Sequence, residues 1–328
     1  MPYRPEIRKP SVNKSENCST DLILDLTSRT QTLHFMRASL NLPAGSGETT
    51  IPAFEIERGS PLTAPVIFAS PHSGTHYPAA MQAKLSVPIS DLRRTEDAFV
   101  DDLYASAVDL GGTLICATHA RTYVDLNRDA RELDAEMFID GLPRAAGMPS
   151  ARVKAGLGCL PRVGASGRDI YGQPLSRLEG ESRLQNVHDA YHQALQAEID
   201  ALKPSWSDIF IIDCHSMPSR QPGRSSMPDI VLGDRFGSSC SARLTSLVER
   251  QFRRDGFTVA RNAPYAGGYT TRKYGRPRRG VHVLQIEINR SLYMNETTIE
   301  KTRGFDTLQN QLATLCTEIL NLARLENG

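Results

Sequence analysis

The sequence predicts an α/β fold in which a mainly parallel sheet is covered by helices on both faces. Two observations carry this. From Pro52 onward, short apolar runs alternate with longer stretches of helical periodicity, the pattern of strands joined by covering helices. Several runs are apolar almost throughout, as strands buried on both faces are, and three lead straight into a histidine or an acid. The carboxyl ends of such strands are where open α/β sheets gather their chemistry.

Taken in order, residues 1–48 mix Lys, Arg, Ser, Thr and Asn around one short apolar run, Leu22-Ile23-Leu24, and read as a poorly ordered extension. Strands follow near 52–57 and 65–70, the second running into Ser70-Pro71-His72-Ser73-Gly74. A helix is expected over 90–110, with Ser90 as N-cap, Asp91 in its first turn and Gly111-Gly112 ending it. The next strand is near 112–118. The stretch 140–178, rich in Gly, Pro and Arg, lacks periodicity and reads as a long excursion of the kind that covers active sites. A helix over 179–203 precedes the strand near 208–213, which delivers Asp213-Cys214-His215-Ser216. Strands near 229–232 and 257–260 flank a helix over 236–254. The last strand, near 281–288, carries Glu287, and a helix over 296–325 closes the chain. With no internal repeat, residues 49–328 are read as a single catalytic domain.

A composition of 40% hydrophobic and 23% charged residues is that of a globular protein able to bury a sizeable core. The formal net charge of +1 gives no general pull toward nucleic acid or anionic lipid, so a small-molecule partner is expected. Six scattered cysteines without a CxxC pair argue against a zinc ribbon or a disulfide scaffold and for reduced thiols in a cytoplasm. No apolar stretch approaches the roughly 20 residues of a membrane span, and no secretory signal is evident. Nothing in the sequence points to an oligomeric state.

One histidine after a strand is often only a hydrogen-bonded loop residue, but His72 and His215 together suggest a metal site. Zinc hydrolases commonly use three protein ligands and leave the fourth position to water. The third ligand is sought in Glu96 and Asp97, adjacent acids placed early in the expected helix, where the dipole favours negative charge. Val100 and Leu103 mark the buried face and favour Asp97, with Glu96 the alternative. Glu287 is held by its strand as a general base. Arg121, Asn127 and Arg128 follow the strand near 112–118 and suit an acidic substrate, because guanidinium groups grip carboxylates and stabilise oxyanions. Gly268, Thr270 and Arg272, in Gly267-Gly268-Tyr269-Thr270-Thr271-Arg272, allow close approach of backbone and hydroxyl groups to a ligand. His188 and His192 share a helix face but lack the Glu of HExxH. His192 is therefore kept as a substrate contact rather than a second metal site.

With these pieces together the chain resembles the N-formylglutamate amidohydrolases. The likeness lies in Ser70–Pro78, Arg94–Asp102, Ala120–Asp134, Asp213–Ser219, Asp229–Phe236 and Pro264–Met294, and it spans roughly residues 52–325. That family is similar in turn to the zinc carboxypeptidases, which implies a three-layer αβα fold with a mixed, mainly parallel sheet, of the zinc-dependent exopeptidase kind. DCHS resembles the third-ligand segment, VDLNR the segment whose Asn and Arg hold a substrate carboxylate, and Glu287 the strand-borne catalytic glutamate. The HxxE of the carboxypeptidases is not kept: Thr75 stands at the glutamate position, so the second ligand must come from elsewhere.

The resemblance implies hydrolysis of N-formyl-L-glutamate to formate and L-glutamate at the end of histidine breakdown. His72, Asp97 and His215 would then hold one zinc ion and Glu287 would move the proton. Arg121 would stabilise the oxyanion, Asn127 and Arg128 would anchor the α-carboxylate, and an arginine near 272–279 would take the side-chain carboxylate. Two alternatives stand beside it. One is a zinc amidase or carboxypeptidase-like hydrolase acting on another N-acyl amino acid or a peptide end; the other is a metal-binding protein without turnover, against which Glu287 argues.

Overall fold

The computed structural model describes residues 51–223 and 226–328, and the extension expected over 1–48 lies outside the described residues. Seven strands form one sheet: β1 (Phe54–Arg58), β2 (Val66–Ser70), β3 (Thr113–Ala117), β4 (Ile209–Met217), β5 (Ile230–Gly233), β6 (Val259–Arg261) and β7 (Val281–Asn289). Each falls on one of the apolar runs read from the sequence. Their order across the sheet is β1-β3-β2-β4-β7-β5-β6. The central four are mutually parallel, β1 is antiparallel to β3, and β5 is antiparallel to β7 but parallel to β6. The sheet is therefore mixed and mainly parallel.

Alternation along the strands sends successive side chains to opposite faces. Val66, Phe68, Phe210, Ile212, Leu284 and Ile286 join a core with helices Val100–Tyr104, Ala242–Arg254 and Gly304–Asn327. Ile67, Ala69, Ile209, Ile211, Val281 and Val283 join another with helix Ala190–Leu202. Three layers result, as expected. On the second face the same parity continues through Asp213 and His215 on β4 and through Gln285 and Glu287 on β7. A face that is apolar for most of the strand thus turns polar at its carboxyl end. Register completes the effect, because His215 pairs with Glu287 and Asp213 with Gln285.

Four expected helices differ in detail. The helix over 90–110 is three short ones, Ile89–Arg93, Val100–Tyr104 and Ser106–Asp109, and Pro88 rather than Ser90 precedes the first. Glu96 and Asp97 lie in the connection rather than in the first turn of a helix. Phe99 takes a left-handed φ of 65°, and the Asp97 N–H donates to the His72 carbonyl at 3.0 Å. The helix over 236–254 starts after its N-cap Ser241, because Arg235 and Phe236 turn through positive φ. In place of the first part of the helix over 296–325, Met294–Asn295 (β8) and Glu300–Lys301 (β9) pair, and the helix begins at Gly304. The helix over 179–203 runs from Arg177 to Leu202 but widens to a π-type turn over Leu184–Asp189. The excursion 140–178 holds only short helical pieces and is tied to the core by the Asp125 N–H to the Cys159 carbonyl, 2.8 Å. No helix among the described residues is long and apolar enough to cross a membrane.

Candidate active site

His72, just beyond β2, His215 on β4 and Asp97 in the loop before Val100–Tyr104 meet at the carboxyl end of the central strands. One donor atom from each lies within 4.8 Å of the others, and all three residues are buried. Asp97 Oδ2 is 2.9 Å from His215 Nδ1 and 3.3 Å from His72 Nδ1. Glu96 points elsewhere. It accepts a bond from the Tyr77 hydroxyl at 2.6 Å and faces Arg93 at 3.4 Å, so of the two adjacent acids only Asp97 reaches the histidines.

The hydrogen bonds around this trio fit a cation. His72 Nε2 faces Asp125 Oδ1 at 2.7 Å and so carries the proton that it donates there. Its Nδ1 then presents a lone pair, buried and without a hydrogen-bond partner, toward an Asp97 oxygen. Two electron-rich atoms facing each other away from water repel unless a positive ion lies between them. Asp213 supplies a second sign. Neither of its buried oxygens has a hydrogen bond, yet Oδ1 lies 3.1 Å from His215 Nε2. It is an acceptor in place for an Nε2 proton, which His215 carries when Nδ1 binds a cation. A carboxylate behind each imidazole is the arrangement that orients metal-bound histidines.

Charge is arranged to keep the carboxylates of Asp97 and Asp125 ionised. Burial alone would raise the Asp97 carboxyl, but the neighbouring His215 and His72 imidazoles outweigh it and hold the group well below the usual carboxylate range. Arg290 adds a bond to Asp97 Oδ1 at 3.0 Å. Asp125 is also held well below its ordinary value, burial being overcome by His72 and Arg121, and the Arg121 bond measures 2.9 Å. In the metal-free protein His215 is pushed well above its ordinary value, since Asp213 and Asp97 outweigh burial. Glu287 goes the other way for an acid: burial, seconded by Asp97, lifts its pKa to about 7. Gln285 steadies it, donating Nε2–H to Glu287 Oε1 at 2.8 Å while its own Oε1 accepts the Gly268 N–H at 2.8 Å.

The trio opens into a cleft of about 550 Å3, lined among others by Arg121, Asn127, Arg128, Gly268, Glu287 and, from the excursion, Arg152. The Asn127 amide is engaged from two sides, with Oδ1 accepting the Thr270 N–H at 2.9 Å and Nδ2 3.0 Å from His215 Nε2. Thr270 therefore sits behind Asn127 rather than on the cleft wall. Gly268 is required by proximity, because a Cβ there would lie 2.4 Å from Asn127 Nδ2.

Two expectations are corrected. His192 does not reach the cleft, since its nitrogens are occupied by the Tyr274 hydroxyl at 2.8 Å and the Leu126 carbonyl at 2.9 Å. Together with His188, bonded to the Arg128 carbonyl at 2.9 Å, it props the 125–128 loop from behind. Arg272 faces Asp129 and Glu132 at 3.6 and 3.5 Å, and it lines a separate groove with Arg276, Arg278 and Arg279. None of these four lines the cleft, where an arginine near 272–279 is expected to meet the side-chain carboxylate.

Sequence reasoning did not assign roles to Asp125, Asp213, Gln285, Arg290 or Arg152. Asp213 and Gln285 were detectable, because they share strand parity with His215 and Glu287. Arg152 was not, since the excursion carries no period.

Residues 64–294 match the family described as N-formylglutamate amidohydrolase. The N-formylglutamate deformylase of Pseudomonas aeruginosa is 30% identical over 239 residues, covering 71% of this chain and 83% of that protein. The deformylase of Pseudomonas putida is 29% identical with the same coverage, 71% and 83%. The crystal structure of N-formylglutamate amidohydrolase from Ralstonia eutropha JMP134 superposes with a TM-score of 0.79 at 35% identity, covering 84% of this chain and 99% of that one. The chain belongs to the N-formylglutamate amidohydrolase family.

Proposed function

We propose that the protein is a metal-dependent amidohydrolase that removes the acyl group from the nitrogen of an acidic amino acid, with N-formyl-L-glutamate as substrate. The observation that carries this reading is the convergence of two imidazoles and a carboxylate beside a buried glutamate, in a chain of this family. His72, Asp97 and His215 would hold one zinc ion, a metal suited to two nitrogens and an oxygen with a position left open. When bound, such an ion supplies Lewis acidity to the acyl oxygen and to water.

Glu287 takes a proton from the attacking water as hydroxide adds to the acyl carbon. It returns that proton to the nitrogen as the C–N bond breaks, so formate and an amine leave. A carboxyl near neutrality suits both halves of the transfer. Arg121, fixed by Asp125, brings positive charge toward the developing oxyanion. Arg128 anchors the α-carboxylate, while its neighbour Asn127 holds the Gly268–Thr270 turn in position. A reducing compartment, the cytoplasm, is supported by the free thiols of Cys116, Cys159, Cys214, Cys240 and Cys316.

The test is formate release from N-formyl-L-glutamate measured beside acid release from its N-acetyl and N-succinyl analogues. The formyl substrate should give the highest kcat/KM. Cleavage of only another acyl group would transfer the assignment to that amide.

A further inference from the structure

Five arginines line the cleft, and they are not equivalent. Arg121 is paired with Asp125 and Arg290 with Asp97. Among the described residues, Arg94, Arg128 and Arg152 have no carboxylate within ion-pair distance. Arg128 binds only the Leu157 and Asn127 carbonyls, at 3.4 and 2.9 Å.

Arg128 and Arg152 are linked through one residue. The Leu157 carbonyl accepts from Arg128 Nε, and the Leu157 N–H donates to the Arg152 carbonyl at 2.8 Å. The turn that makes this link is pinned. Cys159 donates its N–H to the Glu132 carbonyl at 2.7 Å, and Gly158 packs so closely that a Cβ would lie 2.5 Å from that oxygen. Ser150 caps the short helix Ala151–Lys154 that carries Arg152, its Oγ accepting the Val153 N–H at 3.2 Å. The segments that carry the two arginines are thus held together by backbone, and both residues line the same cleft. Their mutual repulsion is felt: the Arg128 charge is the largest influence on Arg152, weakening its hold on its proton. Asp125 and Glu132 also act on Arg152, but neither pairs with it or with Arg128, and two neighbouring cations without an ion-pair partner form a site that gains by binding an anion.

We propose that Arg152 takes the side-chain carboxylate of the substrate while Arg128 takes its α-carboxylate, which makes Arg152 the residue that selects acidic amino acids. The two carboxylates of one glutamate are joined by a short chain, so neighbouring guanidiniums can each take one. The inference rests on the reading of the cleft as an N-acylglutamate site. It assigns to the excursion 140–178 the task that sequence reasoning gave to the arginines near 272–279.

The experiment compares N-formyl-L-glutamate with its neutral isostere N-formyl-L-glutamine in the wild type, Arg152→Gln, Arg152→Lys and Arg94→Gln. Arg152→Gln should lower kcat/KM for the glutamate substrate at least about tenfold more than for the glutamine one, the scale of one lost charge-assisted hydrogen bond. The loss should sit in KM, because both ground and transition states lose the contact. Arg152→Lys should recover part of the preference. An equal loss on both substrates, or a selective loss in Arg94→Gln instead, overturns the assignment. The wild-type arm tests the functional reading separately. If the wild type cleaves a different N-acylglutamate, the same comparison is run with that acyl group, and if it cleaves none, both readings fall.

Discussion

Glu287 carries the sharpest expectation at the scale of single residues. Its carboxylate must be ionised to take a proton, and burial sets its pKa at about 7 in the metal-free protein. A cation on His72, Asp97 and His215 favours the charged form. The acid limb of kcat/KM should therefore lie at or below about pH 7, with activity lost as pH falls through it. Glu287→Gln keeps the bond from Gln285, because an amide oxygen accepts as a carboxylate does. This variant should retain metal by elemental analysis and lose at least about 10²-fold in kcat, along with that limb. Unchanged turnover would remove Glu287 from the chemistry.

At the scale of elements, the part of the sheet that could be read beforehand is the part buried on both faces. β2, β4 and β7 announce themselves as apolar runs, and with them came His72, His215 and Glu287. The elements misread are those where a tertiary contact overrides local pattern. The apolar spacing of Ala98, Val100, Leu103, Tyr104 and Ala107 imitates one helix, yet the chain breaks before Val100 so that Asp97 can meet His72 and His215. The helical spacing that favours Asp97 in the sequence is therefore absent, and a loop brings it to the histidines. At Asn295, the side-chain oxygen accepts the Thr297 N–H at 2.9 Å, a turn that helical periodicity conceals. The turn before helix Tyr269–Tyr274 yields a prediction of its own. Gly268 has a negative φ of −95°, outside the left-handed region, and the three atoms nearest a Cβ there all belong to the Asn127 side chain. Gly268→Ala should push Asn127 away from His215 and disturb the Gly268–Gln285–Glu287 chain of bonds. We expect a loss of about 10- to 100-fold in kcat/KM, the effect of a small misplacement at a reacting centre. A parallel melting curve checks that the fold survives, and full activity would show that the contact relaxes at no cost.

For the whole molecule, stability and metal are linked through the same groups. Glu287 binds its proton more tightly folded than unfolded, so the metal-free protein should lose stability as pH rises from about 4.5, the ordinary value, to about 7. A bound cation reverses that penalty by pairing with the charge, and ligand binding adds stability by mass action. Chelation should therefore lower Tm, and by more at pH 8 than at pH 6. In Glu287→Gln the pH dependence of that drop should shrink. Melting curves with and without chelator at the two pH values check both, and a drop that is larger at pH 6 would contradict the sign.

The pairing of His215 with Glu287 across β4 and β7 bears on how such a molecule can change. Neighbouring strands keep a spacing of about 4.8 Å fixed by their ladder of backbone hydrogen bonds. No remodelling of surface segments alters how far Glu287 stands from His215. Residues such as Arg152 and Leu157 belong to an irregular insert that can be rewritten without touching that ladder. Selection for a new amino acid, in nature or in a library, is best aimed at the insert, with the strand pair left as the invariant frame.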